Sequence, residues 1–178
     1  DAKSLCERFI VSECNVHPSK LKSGNINSIE LQEIDRAGGL VYELPIEIKD
    51  KAAINMGHIR SKCRALHRQK KCGMVIIDYL QLIAESSNGQ RNREQEISRM
   101  SREAKIIAKE LNIPVILLSQ LNREVDKRQD KKPILADLRE SGAIEQDADM
   151  VIFVHRPEYY GISLKDSSGN EIENYGEL

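Results

Sequence analysis

The sequence predicts a doubly wound α/β fold, a mainly parallel sheet with helices on both faces, and three observations predict it. Apolar runs without polar alternation recur at Met74–Ile77, Val115–Leu118 and Met150–Val154, the pattern of strands buried on both sides in a parallel sheet. Segments with helical spacing alternate with these runs, which is the mark of β-α-β connections. Polar residues follow each run directly, first Asp78, then Ser119 and Gln120, then His155 and Arg156. In an open α/β sheet those positions line the ligand crevice.

In chain order, residues 4–14 place Leu5, Phe9 and Ile10 on one face of a short helix that His17-Pro18 ends. Ser23-Gly24-Asn25 reads as a loop, and residues 26–37 as a second helix closed by Gly38-Gly39. Residues 40–48 mix Val, Tyr, Leu and Ile with Pro45, a short strand that cannot be internal at the proline. Asp50 is positioned to cap a helix over residues 51–71, with Ile54, Ile59, Cys63 and Leu66 inward and Gly73 just past its end. After the strand at 74–77, residues 84–93 form a polar loop. Asn92 with Gln95 then resembles a capping box opening a helix that carries Ile97, Met100, Ala104, Ile107, Ala108 and Leu111 to Asn112. Residues 114–120 and 150–154 are the next two strands, and the polar tail over 165–178 ends inside a turn.

The 178 residues, 40% hydrophobic and 31% charged with 10 Gly and 5 Pro, suit one globular domain or part of one and exclude collagen-like and disordered classes. A net charge of -1 gives no global field, so any nucleic-acid binding must be local. No apolar run approaches the roughly 20 residues of a membrane span. Four cysteines without a C-x-x-C pair fit a reduced, cytoplasmic protein. Cys14-x-x-His17 and Cys63-x-x-x-His67 each offer two metal ligands, but a closed zinc site wants four. The chain opens on Asp1-Ala2-Lys3 with neither Met nor a signal pattern, as a piece of a longer protein would.

Asp78, at a strand end, is placed to hold hydrated Mg²⁺ beside bound phosphates, or merely to cap the strand. The Gln120 amide can orient a water or a terminal phosphate, or bond a neighbouring loop. Residues 137–149 are polar; Arg139 offers a fork for phosphate and Gly142 lets backbone N–H groups come close, with a solvated helical turn as the alternative. Arg123, Lys127, Arg128, Lys131 and Lys132 alternate with Glu124, Asp126 and Asp130, as a solvated mixed face would. Arg60, Lys62, Arg64, Arg68, Lys70 and Lys71 make the helix before the first apolar run strongly basic, either a solvated face or one turned to nucleic acid or an acidic partner. Five Tyr, two Phe and no Trp leave base stacking a minor means of holding a single strand.

Taken together, the runs Gly73–Ile83, Leu117–Arg123 and Asp137–Asp149 closely resemble, in order and spacing, the motor domain of DnaB-type replicative DNA helicases. The helix over 94–111 and the segment His155-Arg-Pro-Glu-Tyr-Tyr160 look like the same family, so the resemblance covers nearly all of residues 1–178. It implies a RecA-like sheet, here an incomplete one, a ring of six subunits, and ATP-driven 5′ to 3′ movement on single-stranded DNA. Asp78 would be the Walker B aspartate holding Mg²⁺ through water. Gln120 would be the sensor that couples phosphate state to the DNA loops. Arg139, Glu140 and Gly142 would lie on the loop that tracks the DNA backbone without reading sequence. A primase and a helicase loader are the partners the resemblance brings with it, with no membrane.

The sequence also departs from that family. No G-x-x-x-x-G-K-[ST] loop occurs in it, and that loop is the cradle ATP phosphates need. The family's acidic catalytic base and its K-x-R-x-G segment are absent too. The chain by itself is therefore expected not to hydrolyse ATP, and its sheet is expected to keep an apolar slot and open strand edges. Two alternatives stand beside the helicase reading: a non-catalytic RecA-like module for assembly or partner binding, and a RecA-like recombination or repair ATPase.

Overall fold

The computed structural model describes residues 1–51, 54–83, 93–162, 164–165 and 171–172. The chain divides into two compact units, Asp1–Ala52 and Ala53–Tyr175.

The first unit is helical. Helix α1 (Ala2–Glu13) is capped by Asp1, whose carboxylate accepts from the Ser4 N–H at 2.6 Å. Pro18 opens α2 (Pro18–Ser23), which closes on Gly24 at a φ of 73°, a left-handed turn that glycine takes without strain. Helix α3 (Ser28–Glu43) starts with a reciprocal capping box between Asn27 and Glu30, at 2.9 and 3.0 Å, and packs on α1.

Here the structure corrects two sequence expectations. Gly38-Gly39 does not end the helix, and residues 40–43 are its last turn rather than a strand. The stop is Pro45: Leu44 before it turns extended, with ψ 136°, because proline crowds the preceding residue out of the helical region. Two mid-helix glycines each cost about 1 kcal/mol, a cost that the capping box and the α1 contact offset. Asp50 caps nothing downstream; it accepts from the Ala2 N–H at 2.8 Å.

The second unit holds a parallel pair, β1 (Val75–Ile77) and β2 (Val115–Leu117), in the register Val75↔Val115, Ile76↔Ile116, Ile77↔Leu117. Helix α4 (Met56–Arg68) begins later than expected because Asn55, not Asp50, accepts the capping bond, from His58 N–H at 2.8 Å. It ends without help from Gly73: Lys70 takes a φ of 57°, and the Lys71 N–H bonds the Leu66 carbonyl at 2.9 Å. Helix α5 (Arg93–Leu111) buries Ile97, Met100, Ala104, Ile107 and Leu111 as expected, with Met56, Cys63, Ile77, Leu80 and Ile144 completing the core. The loop expected at 84–93 and its Asn92 cap fall on residues 84–92, outside the described residues.

Helices cover only one face of this sheet. Met74, Ile76, Ile116 and Leu118 on the other face are all more than 40% exposed, so the apolar runs are not buried on both sides. Residues 150–154 are extended but pair with nothing among the described residues, and Met150, Ile152 and Val154 are exposed. A strand exists only where a neighbour takes its N–H and C=O groups, and among the described residues β2 is bonded to β1 alone. A separate antiparallel pair joins β3 (Leu164–Lys165) to β4 (Glu171–Ile172).

Candidate functional site

Asp78 and Gln120 come together because their strands are adjacent and parallel, so both carboxyl ends open on one edge. The ladder continues past β2: Ile77 O accepts from Leu118 N–H at 3.0 Å, and Leu118 O accepts from Leu80 N–H at 2.9 Å. Asp78 lies between those two bonds, exposed, and among the described residues nothing donates to its carboxylate. Gln120 is exposed two residues beyond the rung. The Asp78–Tyr79 peptide is cis.

Gln81, in the 3-10 turn Leu80–Leu82, joins the two ends and was not singled out from the sequence. Its Nε2 donates to Ser119 Oγ at 2.9 Å and to Gln120 O at 3.4 Å, while its Oε1 accepts from Gln120 N–H at 3.3 Å. The signal available in the sequence was one amide between two leucines just after the strand. Only the register tells which partner it meets.

The segment carrying Arg139, Glu140 and Gly142 is tied to this same edge. It forms a 3-10 stretch, Leu135–Ser141, followed by α6 (Gly142–Asp147). Asp137 O accepts from Asn122 N–H at 3.0 Å, two residues past Gln120. The Asp137 carboxylate, 3% exposed, accepts from both terminal nitrogens of Arg128 and from Ile134 N–H at 2.8 Å. Those donors, led by Arg128, hold its pKa below the ordinary carboxylate range against the opposing effect of burial. The side chains of Arg139 and Glu140 lie outside the described residues. Gly142 is right-handed, with φ -49°, and a Cβ there would meet nothing within 4 Å. Backbone strain therefore does not require glycine at this position, and its surface is open.

The basic residues around 123–132 are largely absorbed locally. Lys127 pairs with Glu124 at 2.6 Å, Arg128 with Asp137, and Lys131 Nζ with the Asp126 carbonyl. Tyr160 donates to Asp126 at 3.0 Å and stacks on His155, which suits a structural role for that histidine. All four cysteines are free thiols, and burial pushes the Cys63 thiol up to about 11. Among the described residues no helix is long and apolar enough to cross a membrane.

The comparisons agree with this arrangement. The model of the DnaB-like helicase C-terminal domain matches residues 1–175. The chain is 46% identical over 171 residues to the replicative DNA helicase DnaC of Bacillus subtilis, covering 96% of this chain and 38% of that protein. It is 43% identical to the replicative DNA helicase DnaB of Geobacillus stearothermophilus, covering 96% of this chain and 37% of that protein. Among solved structures, a DnaB-like replicative helicase studied for its interactions with primase superposes with a TM-score of 0.85 at 37% identity, over 98% of this chain and 41% of that one. A second solved structure, of an isolated ATPase domain, superposes at 0.84 and 39% identity, over 90% of this chain and 57% of that one. The chain thus spans under two-fifths of the length of these two curated relatives. Strand edge, residue order and relatives all point one way, and the chain belongs to the DnaB-like helicase C-terminal domain family.

Proposed function

We propose that this chain is the central part of a replicative helicase motor that couples ATP hydrolysis to 5′ to 3′ movement along single-stranded DNA. The observation that carries the reading is the bridge through Gln81 between the ends of two adjacent parallel strands, one bearing Asp78 and the other Gln120. Asp78 supplies an exposed, unengaged hard oxygen, which suits a hydrated Mg²⁺. When bound with ATP, Mg²⁺ neutralises charge on the transferring phosphate. The amide of Gln120 senses the terminal phosphate. A change at Gln120 then reaches Asn122, whose N–H holds Asp137, and so the segment bearing Arg139, Glu140 and Gly142 on the DNA backbone.

In this reading the parent protein works as a ring of six in the cytoplasm, alongside a primase and a loader. Membership in the helicase family sets the recombination ATPase aside. The test is ATP turnover by the full-length parent with and without an unstructured oligonucleotide, beside its Asp78→Asn variant. DNA-stimulated turnover that collapses in the variant supports the motor. Absent turnover from a folded parent returns the reading to a module for assembly.

A further inference from the structure

A basic ridge on α4 is left unused by the motor reading. Arg60, Arg64 and Arg68 recur every fourth residue, so they stack along one face about 6 Å apart. Glu110, near the end of α5, meets the ridge: its Oε2 accepts from Arg60 Nε at 3.1 Å and Nη2 at 2.7 Å, and its Oε1 accepts from Arg64 Nε. The two guanidiniums hold the Glu110 carboxyl down at about 2. One carboxylate thus faces three guanidiniums, and the cluster stays positive. Among the described residues nothing accepts from Arg68, or from the terminal nitrogens of Arg64.

The ridge walls a cavity of about 480 Å³, open to solvent, with Ser61, His67 and Leu111 also on its lining. Leu111 lies four residues before β2, and α4 ends seven residues before β1. The cavity therefore flanks the amino ends of the strands, away from the edge that carries Asp78 and Gln120.

We infer that this ridge is a second nucleic-acid contact, a seat for successive phosphates of a polynucleotide backbone. Guanidinium forks match phosphate oxygens in geometry as well as charge. Among the described residues Leu111 is the sole hydrophobic side chain lining the cavity, whereas a protein partner would be met by an apolar patch core. The same lining holds no Phe, Tyr or Trp on which bases could stack. What remains is backbone contact, blind to sequence. Glu110 acts there as a built-in competing anion that keeps two of the forks oriented.

Fluorescence anisotropy of a labelled oligo(dT), titrated with the full chain at several salt concentrations, tests the assignment. The Arg64→Ala/Arg68→Ala variant is expected to bind roughly tenfold more weakly, with a salt slope shallower by about 2. Arg68→Ala alone, at an exposed position, should give about half that slope change. Glu110→Gln should bind more tightly, because it frees donors on Arg60 and Arg64. Inorganic pyrophosphate should compete. Unchanged affinity and slope in the arginine variants would overturn the inference, as would loss of all binding on Arg139→Ala alone. Ridge-dependent binding of pyrophosphate or of a poly-glutamate peptide without oligo(dT) binding would also overturn it. The readout uses no nucleotide, so failure of the motor reading, seen in the turnover of Asp78→Asn, is separate.

Discussion

Arg128 grips Asp137 with both terminal nitrogens, Nη1 to Oδ1 at 2.7 Å and Nη2 to Oδ2 at 2.5 Å, from nine positions earlier in the chain. The same arginine donates to the Lys132 carbonyl at 2.5 Å. One guanidinium therefore closes the connection between Gln120 and the segment bearing Arg139, and Asp137 O completes it through Asn122. This pair is the physical link between the strand edge and the DNA-tracking segment of the proposed motor.

Removing the charge from that link should loosen it. Asp137→Asn is expected to cost about 2 kcal/mol, the value of a hydrogen-bonded charge that loses its partner. Arg128→Lys keeps the charge but not the fork, so it should recover only part. Urea unfolding checks both, and variants as stable as the wild type would show that the pair closes nothing.

Gln81→Ala should leave the fold intact and disturb the edge, since the side chain holds Gln120 and Ser119 rather than the core. In the parent protein a fall of about tenfold in kcat is expected, with little change in KM for ATP, because misplaced catalytic groups lose rate more than binding. A change confined to KM would count against a positioning role.

Arg139→Ala in the parent should lower DNA-stimulated turnover more than basal turnover. Steady-state ATPase assays with and without oligonucleotide decide this. Equal loss of both would remove Arg139 from the DNA segment.

Ile107 is fully buried in the α5 stripe, so Ile107→Ala should destabilise the chain by about 2–4 kcal/mol through lost burial and a residual cavity. Ile106 next to it is 41% exposed, and Ile106→Ala should cost under about 1 kcal/mol. Thermal or urea unfolding of the two should separate them cleanly.

Acid should weaken the protein through its paired carboxylates. Arg64 and Arg60 lower the Glu110 carboxyl from 4.5 to about 2, and Arg128 with the Ile134 N–H lowers that of Asp137. Groups whose folded pKa is depressed contribute stability that is present above the unfolded value and lost as pH falls through the folded one. For Glu110 the loss runs between pH 4.5 and about 2. Urea midpoints measured down this limb should fall, and Glu110→Gln with Asp137→Asn should flatten the fall.

By itself the sequence determined the parallel pairing of 74–77 with 115–118, the inward stripe of α5, and the polar residues that follow each strand. Each is a local matter: an apolar run, a 3.6-residue period, a side chain next in line. It also determined the family, since the order of Asp78, Gln120 and the 137–149 segment is a property of the chain. Tertiary structure decided the rest. Whether Gly38-Gly39 or Pro45 ends α3, whether Asp50 or Asn55 caps α4, and whether 150–154 becomes a strand all turn on which groups compete for a donor or supply a neighbour. The partners of Gln81, Arg128 and Glu110 lie 39, 9 and 46 residues away, and no periodicity reports such pairings. They exist because register and packing bring chemically matched groups together once the core has formed.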